Sequence, residues 1–100
     1  MFPVAASPRF AVNVRRISQR LYFADIEDPD EGLKKSLIAA LSTVRMFPEA
    51  YPHSGNERRR FTFEFRSTPY TVLFTFDGET VMLHDIHFSR SARAAHWLTE

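Results

Sequence analysis

The residues best suited to acid–base chemistry lie in the last fifth of the chain, which holds three of its four histidines. An imidazole titrates near neutral pH, so His84, His87 or His96 could donate or accept a proton in a reaction. Arg90 follows His87 in a His-x-x-Arg spacing and could neutralise a developing negative charge. Histidines at strand ends are more often structural, so His87 could instead brace a strand, and His84 could be a solvated sheet residue.

The same histidines do not predict a metal site. Their spacing lacks a carboxylate or thiolate partner in a recognised ligand pattern, and the chain contains no cysteine. The lack of cysteine also excludes disulfides and gives no indication of an oxidising compartment. We therefore expect neither a metal nor another cofactor.

Several arginines could bind phosphates or an acidic partner. The candidates are Arg58, Arg59, Arg60 and Arg66. The alternative for the run at 58–60 is a solvated loop. The alternative for Arg66 and Arg90 is a surface ion pair, which contributes about 0–1 kcal/mol. The acids nearest to them in the sequence are Glu64 and Asp85.

Two aromatic residues, Tyr70 and Trp97, could stack on nucleic-acid bases. Packing is the commoner role of a large aromatic side chain. Tyr70 is therefore also a candidate for the core. Trp97 could dock the C-terminal segment, residues 91–100, onto the rest of the domain, whether this segment is a short helix or a tail.

Three strand-like runs in the second half of the chain would position these residues. Residues 61–66 alternate phenylalanine with polar residues, which is typical of a half-buried strand. Residues 70–76 follow a proline-containing break and are rich in aromatic and β-branched residues. Residues 80–88 form the third run, after Asp77-Gly78, which is a strong signal for a tight hairpin turn. The sequence predicts an antiparallel meander.

A two-residue turn also predicts which side chains face each other. Phe74 would lie opposite Val81. Val72 would lie opposite Leu83, and these four side chains would form the core face. A β-bulge near Asp85 would change the faces of the residues that follow it. The opposite face would be mixed and partly exposed, and is the candidate working surface: Thr71, Leu73, Thr75, Thr80, Met82 and His84.

Two amphipathic helices precede the meander. The first should cover residues 8–24, because a serine cap and a proline precede apolar residues at helical spacing. The second should begin at Pro29, with Asp28 as its cap, and end before Pro48. Its apolar face should be formed by Leu33, Leu37, Ile38, Leu41 and Val44. The short linker between the helices predicts an antiparallel helix hairpin.

The apolar faces of the helices need a partner, and the meander offers the large apolar face that they require. A short apolar run at residues 2–6 adds an edge strand. The sequence therefore predicts an α+β fold, with an N-terminal helix hairpin packed on a small antiparallel β-sheet. This sheet consists of the three-stranded meander plus the N-terminal edge strand. At 100 residues, the chain should form a single domain.

Composition restricts the class of protein further. Hydrophobic residues make up 44% of the chain and charged residues 25%, which is typical of globular domains. We found neither a signal-peptide pattern nor an apolar run of membrane-spanning length, so we expect a cytoplasmic protein without a membrane partner. The net charge of +1 gives no support to nucleic-acid binding by the whole surface. Arginines nevertheless cluster locally, at Arg15, Arg16 and Arg20, and could form a basic face.

The order of elements, together with several motifs, resembles one protein family. The motifs are Phe47-Pro48, Phe65-Arg66, Tyr70-Thr71-Val72-Leu73-Phe74 and Ile86-His87-Phe88-Ser89-Arg90. In this order and spacing, the chain resembles the RelE/ParE superfamily of bacterial toxins from type II toxin–antitoxin pairs over nearly its whole length. The resemblance implies a cognate antitoxin protein as partner. An amphipathic or extended antitoxin segment could cover apolar surface that a small open sheet leaves exposed.

The family divides by target. The RelE-like branch implies a ribosome-dependent mRNA endonuclease, which usually carries cations at the positions of Thr62, Glu64 and Thr71. A glutamate there would repel the phosphate whose charge the enzyme must neutralise. The ParE-like branch implies a protein that poisons DNA gyrase by binding, without catalytic side chains. Its last strand commonly ends in His-x-x-Arg, as His87 and Arg90 do here, so this branch is the closer match.

Three functions are therefore open. The first is a ParE-like toxin that arrests growth by binding DNA gyrase. The second is an endonuclease that acts on mRNA at the ribosome, with His87, Arg90 and His96 as catalytic residues. The third is a toxin-like binding module without activity. The candidate binding residues are Arg58, Arg59, Arg60, Arg66, Tyr70, His84 and Trp97.

Overall fold

The computed structural model describes residues 1–23, 29–53, 55 and 57–89. Two helices and four strands in these residues form an α+β fold, as the sequence predicts. The elements, in chain order, are β1 (Val4–Ala6), α1 (Pro8–Phe23), α2 (Pro29–Val44), a 3₁₀ turn (Pro48–Ala50), β2 (Arg59–Phe65), β3 (Thr68–Phe76) and β4 (Val81–Phe88). Neither helix has the length and apolar character needed to cross a membrane, as far as these residues extend.

A serine cap starts α1, as predicted. The Ser7 hydroxyl accepts a hydrogen bond from the backbone nitrogen of Phe10 at 3.1 Å, which satisfies a donor in the first helical turn. The same hydroxyl donates to the carbonyl oxygen of His84 at 3.0 Å and so ties the helix start to β4. The predicted end of this helix, Ala24, and the predicted cap of α2, Asp28, lie outside the described residues.

The sheet has the strand order β1-β4-β3-β2. β2, β3 and β4 pair antiparallel, which confirms the meander. β1 pairs parallel with β4, with Val4 beside Val81 and Ala6 beside Leu83. The sheet is therefore mixed, and the prediction of a wholly antiparallel sheet was wrong in this respect. A run of three apolar residues carries no signal for strand direction, which is set by the route of the chain through both helices.

The turn between β3 and β4 is longer than predicted. Phe76 pairs with Val81, so the loop contains four residues where the sequence predicts two. The Asp77 carboxylate closes this loop by accepting hydrogen bonds from the backbone nitrogens of Thr80 at 2.7 Å and Glu79 at 2.8 Å. These bonds stabilise the charged form of Asp77 and lower its pKa.

The longer loop shifts the pairing of β3 and β4 by two residues. Phe74 pairs with Leu83 where the sequence predicts Val81. A shift of two residues leaves each side chain on its predicted face, so Val72, Phe74, Val81 and Leu83 are all buried in the core. After Leu83, a β-bulge leaves His84 without an opposite residue on β3. The sequence allowed for a bulge near Asp85, which is the next residue.

The turn between β2 and β3 is the tighter of the two. Phe65 pairs with Thr68, which leaves Arg66 and Ser67 as a two-residue loop. Their φ angles are 53° and 63°. Positive φ at both central residues is typical of a type I′ hairpin turn, a conformation that asparagine and glycine adopt most readily. The sequence predicted the break at residues 67–69, whereas the turn is formed by residues 66 and 67. Neither arginine nor serine is typical of this turn conformation.

We expect Ser67→Gly to raise the free energy of unfolding by about 0.5–1 kcal/mol. The change relieves the steric cost of a side chain at positive φ, about 1–2 kcal/mol, which exceeds the entropy that glycine adds to the unfolded chain. Urea unfolding measures the difference. Glu79→Gly in the other turn is the matched control, because its φ is not positive. This control should lose about 0.5–1 kcal/mol. A destabilised Ser67→Gly variant would contradict the turn assignment.

Both helices pack against each other and on one face of the sheet, α1 over β4 and α2 over β2. The core joins helix residues to the inner face of the strands: Phe10, Val14, Leu33, Leu37, Leu41, Val44, Phe61, Phe63, Tyr70, Val72, Phe74, Val81, Leu83 and Ile86. Ile38 was placed on the apolar face of α2, but it is 65% exposed. Its position lies about 100° around the helix axis from Leu37, away from the stripe that meets the sheet.

Candidate functional site

The sheet face opposite the core, here called the outer face, carries the candidate working surface. The residues that strand pairing aligns on it include Arg60, Thr62, Glu64, Thr71, Leu73, Thr75, Met82 and His87. The bulge residue His84 joins them through its contact with the Thr75 hydroxyl. The edge-strand residues Thr62 and Glu64 are exposed. Thr71 and Leu73 are buried, so neither is accessible, although the sequence predicted a partly exposed face. Thr80, also expected on this face, lies in the four-residue turn.

A buried carboxylate lies beside this face. Asp85 is 3% exposed. Its Oδ1 accepts hydrogen bonds from Asn13 Nδ2 and from the backbone nitrogen of Ile86, the latter at 3.0 Å. Its Oδ2 lies 3.2 Å from Arg9 Nε and 2.9 Å from His87 Nε2. A charge removed from water requires partners of this kind. We call Arg9, Asn13, Asp85 and His87 the Asp85 cluster.

Sequence reasoning missed half of this cluster. Arg9 and Asn13 lie on α1, and Asn13 is 72 residues from Asp85 in the chain. Asp85 was considered as a surface partner of Arg66 or Arg90, but the structure buries it against α1. One signal was present in the sequence, since Asn13 is a polar residue directly before the core residue Val14. Such a residue at the border of an apolar stripe requires a polar partner on the surface it meets.

The cluster orients the ring of His87, whose side chain is 13% exposed. The contact joins His87 Nε2 to Asp85 Oδ2. A carboxylate beside a histidine can orient its ring for general-base catalysis, and the same contact can brace a strand end. The geometry is compatible with both roles that the sequence left open.

The second histidine of the outer face is held in its neutral form. His84 Nε2 lies 2.7 Å from the Thr75 hydroxyl. Burial lowers the pKa of His84 below its ordinary value of 6.5, and the positive charge of Arg58 lowers it further. Burial and a nearby cation both disfavour the imidazolium. At neutral pH, His84 therefore offers hydrogen bonds to a ligand and no positive charge.

This lowered pKa gives the stability a pH dependence. Above pH 6.5, His84 is mostly neutral in the folded and the unfolded chain. As the pH falls below 6.5, the unfolded chain takes up the proton first, so the free energy of unfolding decreases until folded His84 also titrates. Between about pH 7.5 and about pH 5.5, His84→Gln should lose less stability than the parent protein. Urea unfolding at both pH values measures this, and equal losses would contradict it.

The candidate arginines divide into two groups. Arg58 and Arg60 are half-buried at the outer face. The charge of Arg58 lowers the pKa of His84, and Arg60 lies opposite Leu73 in the pairing of β2 with β3. Arg59 donates hydrogen bonds from Nη1 to two backbone carbonyls of the preceding loop, including that of Tyr51 at 2.6 Å, and so braces this loop. Arg66 is exposed in the hairpin turn, far along β2 from the other three.

Tyr70, a candidate for base stacking, lies in the core. It is 4% exposed, and its ring stacks on that of Phe63 with a centroid distance of 5.6 Å. Burial also raises the pKa of its hydroxyl. The packing interpretation therefore describes this residue, and Tyr70 is withdrawn as a binding residue. The remaining candidates, Arg90, His96 and Trp97, lie outside the described residues.

Thr62, Glu64 and Thr71, which occupy the positions where the resemblance to the RelE-like branch led us to look for cations, all lie on the outer face. Thr62 and Glu64 project from the edge strand β2 and are exposed. The hydroxyl of Thr71 lies 2.7 Å from that of Ser89 and links β3 to the end of β4. This part of the face offers hydroxyl groups and one acid. It is poorly suited to binding phosphates through charge.

Comparison with solved structures identifies the class of fold. A chain of the chromosomal ParDE toxin–antitoxin system from P. aeruginosa superposes with a TM-score of 0.63 at 14% identity, covering 88% of this chain and 96% of the other. An arginine double mutant of the E. coli toxin RelE in the free state gives 0.58 at 16% identity, with coverage of 98% and 94%. The E. coli RelBE toxin–antitoxin complex gives 0.54 at 18%, with 91% and 100%.

The chain therefore has the RelE/ParE toxin fold, as its motifs indicated. No protein-family model matches the sequence, and no curated protein matches it significantly. At these identities the likeness is one of fold, and the function has to be argued from the residues of the outer face.

Proposed function

We propose that this protein is the toxin of a bacterial type II toxin–antitoxin pair, that it is ParE-like, and that it arrests growth in the cytoplasm by binding DNA gyrase. The proposal is supported by the fold, which this chain shares over nearly its full length with chains from the ParDE and RelBE toxin–antitoxin systems. The choice of gyrase depends on the outer face.

The single observation that favours gyrase binding over RNA cleavage is the exposed Glu64 on the outer face, with Thr62 beside it. Cleavage of RNA adds negative charge to the phosphate in the transition state, and positioned cations stabilise that charge. Here the exposed part of the face carries an acid instead. His84 is held neutral. A face of this kind is better suited to binding a protein than to cleaving RNA.

An antitoxin is the second partner in this proposal. Several large apolar side chains are exposed on and after the helices: Val12, Ile38, Met46 and Phe47. Ile38 and Phe47 are 65% and 59% exposed, respectively. An amphipathic helix or an extended segment of an antitoxin would cover such residues. The crystal structure of the intact RelBE complex shows that a protein of this fold can be bound to an antitoxin.

The gyrase hypothesis is tested with purified protein, gyrase and supercoiled plasmid. We expect linear DNA to accumulate after detergent and protease treatment. Arg60→Gln, beside the outer face, should reduce the yield of linear DNA. Lys35→Gln is the matched control, because it removes the same charge from an exposed position on α2, which packs on the opposite side of the sheet. Folded protein that causes no gyrase-dependent cleavage would contradict the proposal.

The second candidate function is the ribosome-dependent mRNA endonuclease. It is favoured by the contact between Asp85 and His87, 2.9 Å apart, which would fix His87 as a general base. In this case His87, Arg90 and His96 would be the catalytic residues. The third function, a binding module without toxicity, would follow if expression caused no growth arrest and neither assay responded.

His87→Ala separates the two active hypotheses. If gyrase binding is the function, the variant should still arrest growth when it is expressed, because the residue then only braces the strand end. Under the nuclease hypothesis, loss of a general base should slow mRNA cleavage by about 10²–10⁴-fold and abolish the arrest. Viable counts and primer extension on ribosome-bound mRNA measure the two effects. His53→Ala, at an exposed loop position, is the control for expression.

A further inference from the structure

Helix α1 carries a charge pattern that the proposed function does not use. Its 16 residues include Arg9, Arg15, Arg16 and Arg20 and no acidic residue. All four arginines are exposed to solvent. Within the part of the chain that the structure describes, Arg9 contacts Asp85, whereas the other three arginines have no acidic partner. The helix therefore presents cationic charge that the described residues do not neutralise, apart from the contact of Arg9 with Asp85.

Three of these arginines form a line along the helix. At 3.6 residues per turn, Arg9, Arg16 and Arg20 fall within about 40° of one another around the axis, whereas Arg15 lies about 100° from Arg16. A rise of 1.5 Å per residue places Arg9 and Arg20 about 16 Å apart along the axis. We call Arg9, Arg16 and Arg20 the arginine stripe. A rigid row of guanidinium groups of this length suits a ligand with regularly spaced negative charges.

The stripe is continuous with the Asp85 cluster. Arg9 Nε lies 3.2 Å from Asp85 Oδ2, which also binds His87. The Arg9 side chain is nevertheless 60% exposed, so the other nitrogens of its guanidinium can reach a second acceptor. The stripe thus begins at the Asp85 cluster and extends away from it along α1. A ligand on the stripe would be held next to this cluster.

We infer that the arginine stripe binds the phosphate backbone of duplex DNA. Arginine forks match phosphate oxygens in geometry, and a duplex carries about one charge per 1.7 Å of its axis, so the whole stripe can be neutralised at once. Single strands are usually held by exposed aromatic side chains, but the one aromatic residue between Arg9 and Arg20, Phe10, is buried. The choice of DNA rests on the proposed function, because gyrase holds a DNA duplex.

The inference is tested by direct binding, without gyrase. Fluorescence anisotropy of a labelled DNA duplex of about 30 base pairs is measured with the full chain over a series of salt concentrations. The parent protein should bind, and its affinity should fall steeply with salt. For the variant Arg16→Gln/Arg20→Gln, the slope of log affinity against log salt should become shallower by about 1.8, which corresponds to two lost phosphate contacts.

A control of equal charge separates the stripe from net charge. Arg15→Gln/Lys35→Gln also removes two positive charges from exposed helix positions, but none from the stripe. It should retain the slope of the parent protein. Equal slopes for the two double variants, no binding by the parent protein, or tighter binding to single-stranded RNA of equal length would each overturn the inference. Gyrase is absent from this assay, so failure of the gyrase experiment and failure of duplex binding are separate results.

Discussion

Replacing Asp85 with alanine is expected to lower the free energy of unfolding by about 3 kcal/mol. The change removes the acceptor of Asn13 Nδ2 and the carboxylate that His87 Nε2 contacts, while both residues stay largely covered. Each polar group that loses its partner in a buried position costs about 1–3 kcal/mol. Much of the net stability of a small domain depends on this single carboxylate, since such domains are stable by only about 5–15 kcal/mol.

Two further variants show whether the effect belongs to the buried cluster. Glu64→Ala removes an exposed acid from the same sheet and should change stability by no more than about 0.5 kcal/mol. Arg9→Gln removes the exposed cation of the cluster and should cost less than about 1 kcal/mol. Urea unfolding of the three variants measures the differences. Equal stabilities for Asp85→Ala and Glu64→Ala would show that the cluster is not structural.

Phe74→Ala should have the largest effect on stability, a loss of about 3–5 kcal/mol. Phe74 lies in β3 and is fully buried. Its ring centroid is 5.8 Å from that of Phe61 and 6.0 Å from that of Tyr51. Removal of the ring leaves a cavity between the sheet and the elements packed on it, and neighbouring side chains cannot fill this cavity fully.

The matched control for this prediction is Phe47→Ala. Phe47 is 59% exposed after α2, so its replacement should cost no more than about 0.5 kcal/mol. Thermal unfolding followed by circular dichroism distinguishes the two variants, since a loss of 1 kcal/mol lowers the melting temperature of a domain of this size by about 4–8 °C. Similar melting temperatures for both variants would contradict the assigned core.

The sequence predicted the elements well because their signals are local. Alternating phenylalanines indicated β2, and apolar residues at helical spacing indicated α1. The predicted inner face of the sheet was also correct. The predicted register was wrong by two residues, but side chains alternate with a period of two, so Phe74 and Leu83 still face the core. A fold class therefore survives errors of detail that would be serious for a site.

Loop length and strand direction could not be predicted, because they depend on contacts outside the local pattern. Asp77-Gly78 is a strong signal for a two-residue turn, yet the Asp77 carboxylate closes a four-residue loop by bonding to Glu79 and Thr80. Ile38 is similar: its spacing allowed a core position, but the stripe of α2 that meets the sheet lies on the side of Leu37, and Ile38 is exposed.

The candidate site was predicted in part. His84, His87, Arg58 and Arg60 do lie on or beside the outer face. The sequence could not show that Asp85 is the centre of a cluster, because its partner Asn13 belongs to a helix at the opposite end of the chain. Contacts between distant segments require the packed structure, and the chemistry of this site depends on such a contact.

The parallel pairing of β1 with β4 has a consequence for how the protein folds. Ser7, which follows β1, bonds to His84 across a separation of 77 residues. Closing so long a segment is entropically unfavourable, and topologies with distant contacts of this kind fold slowly. During synthesis, the first strand has no partner until residues 81–83 have left the ribosome. We therefore expect a nascent chain truncated before this point to leave Val4–Ala6 without a strand partner.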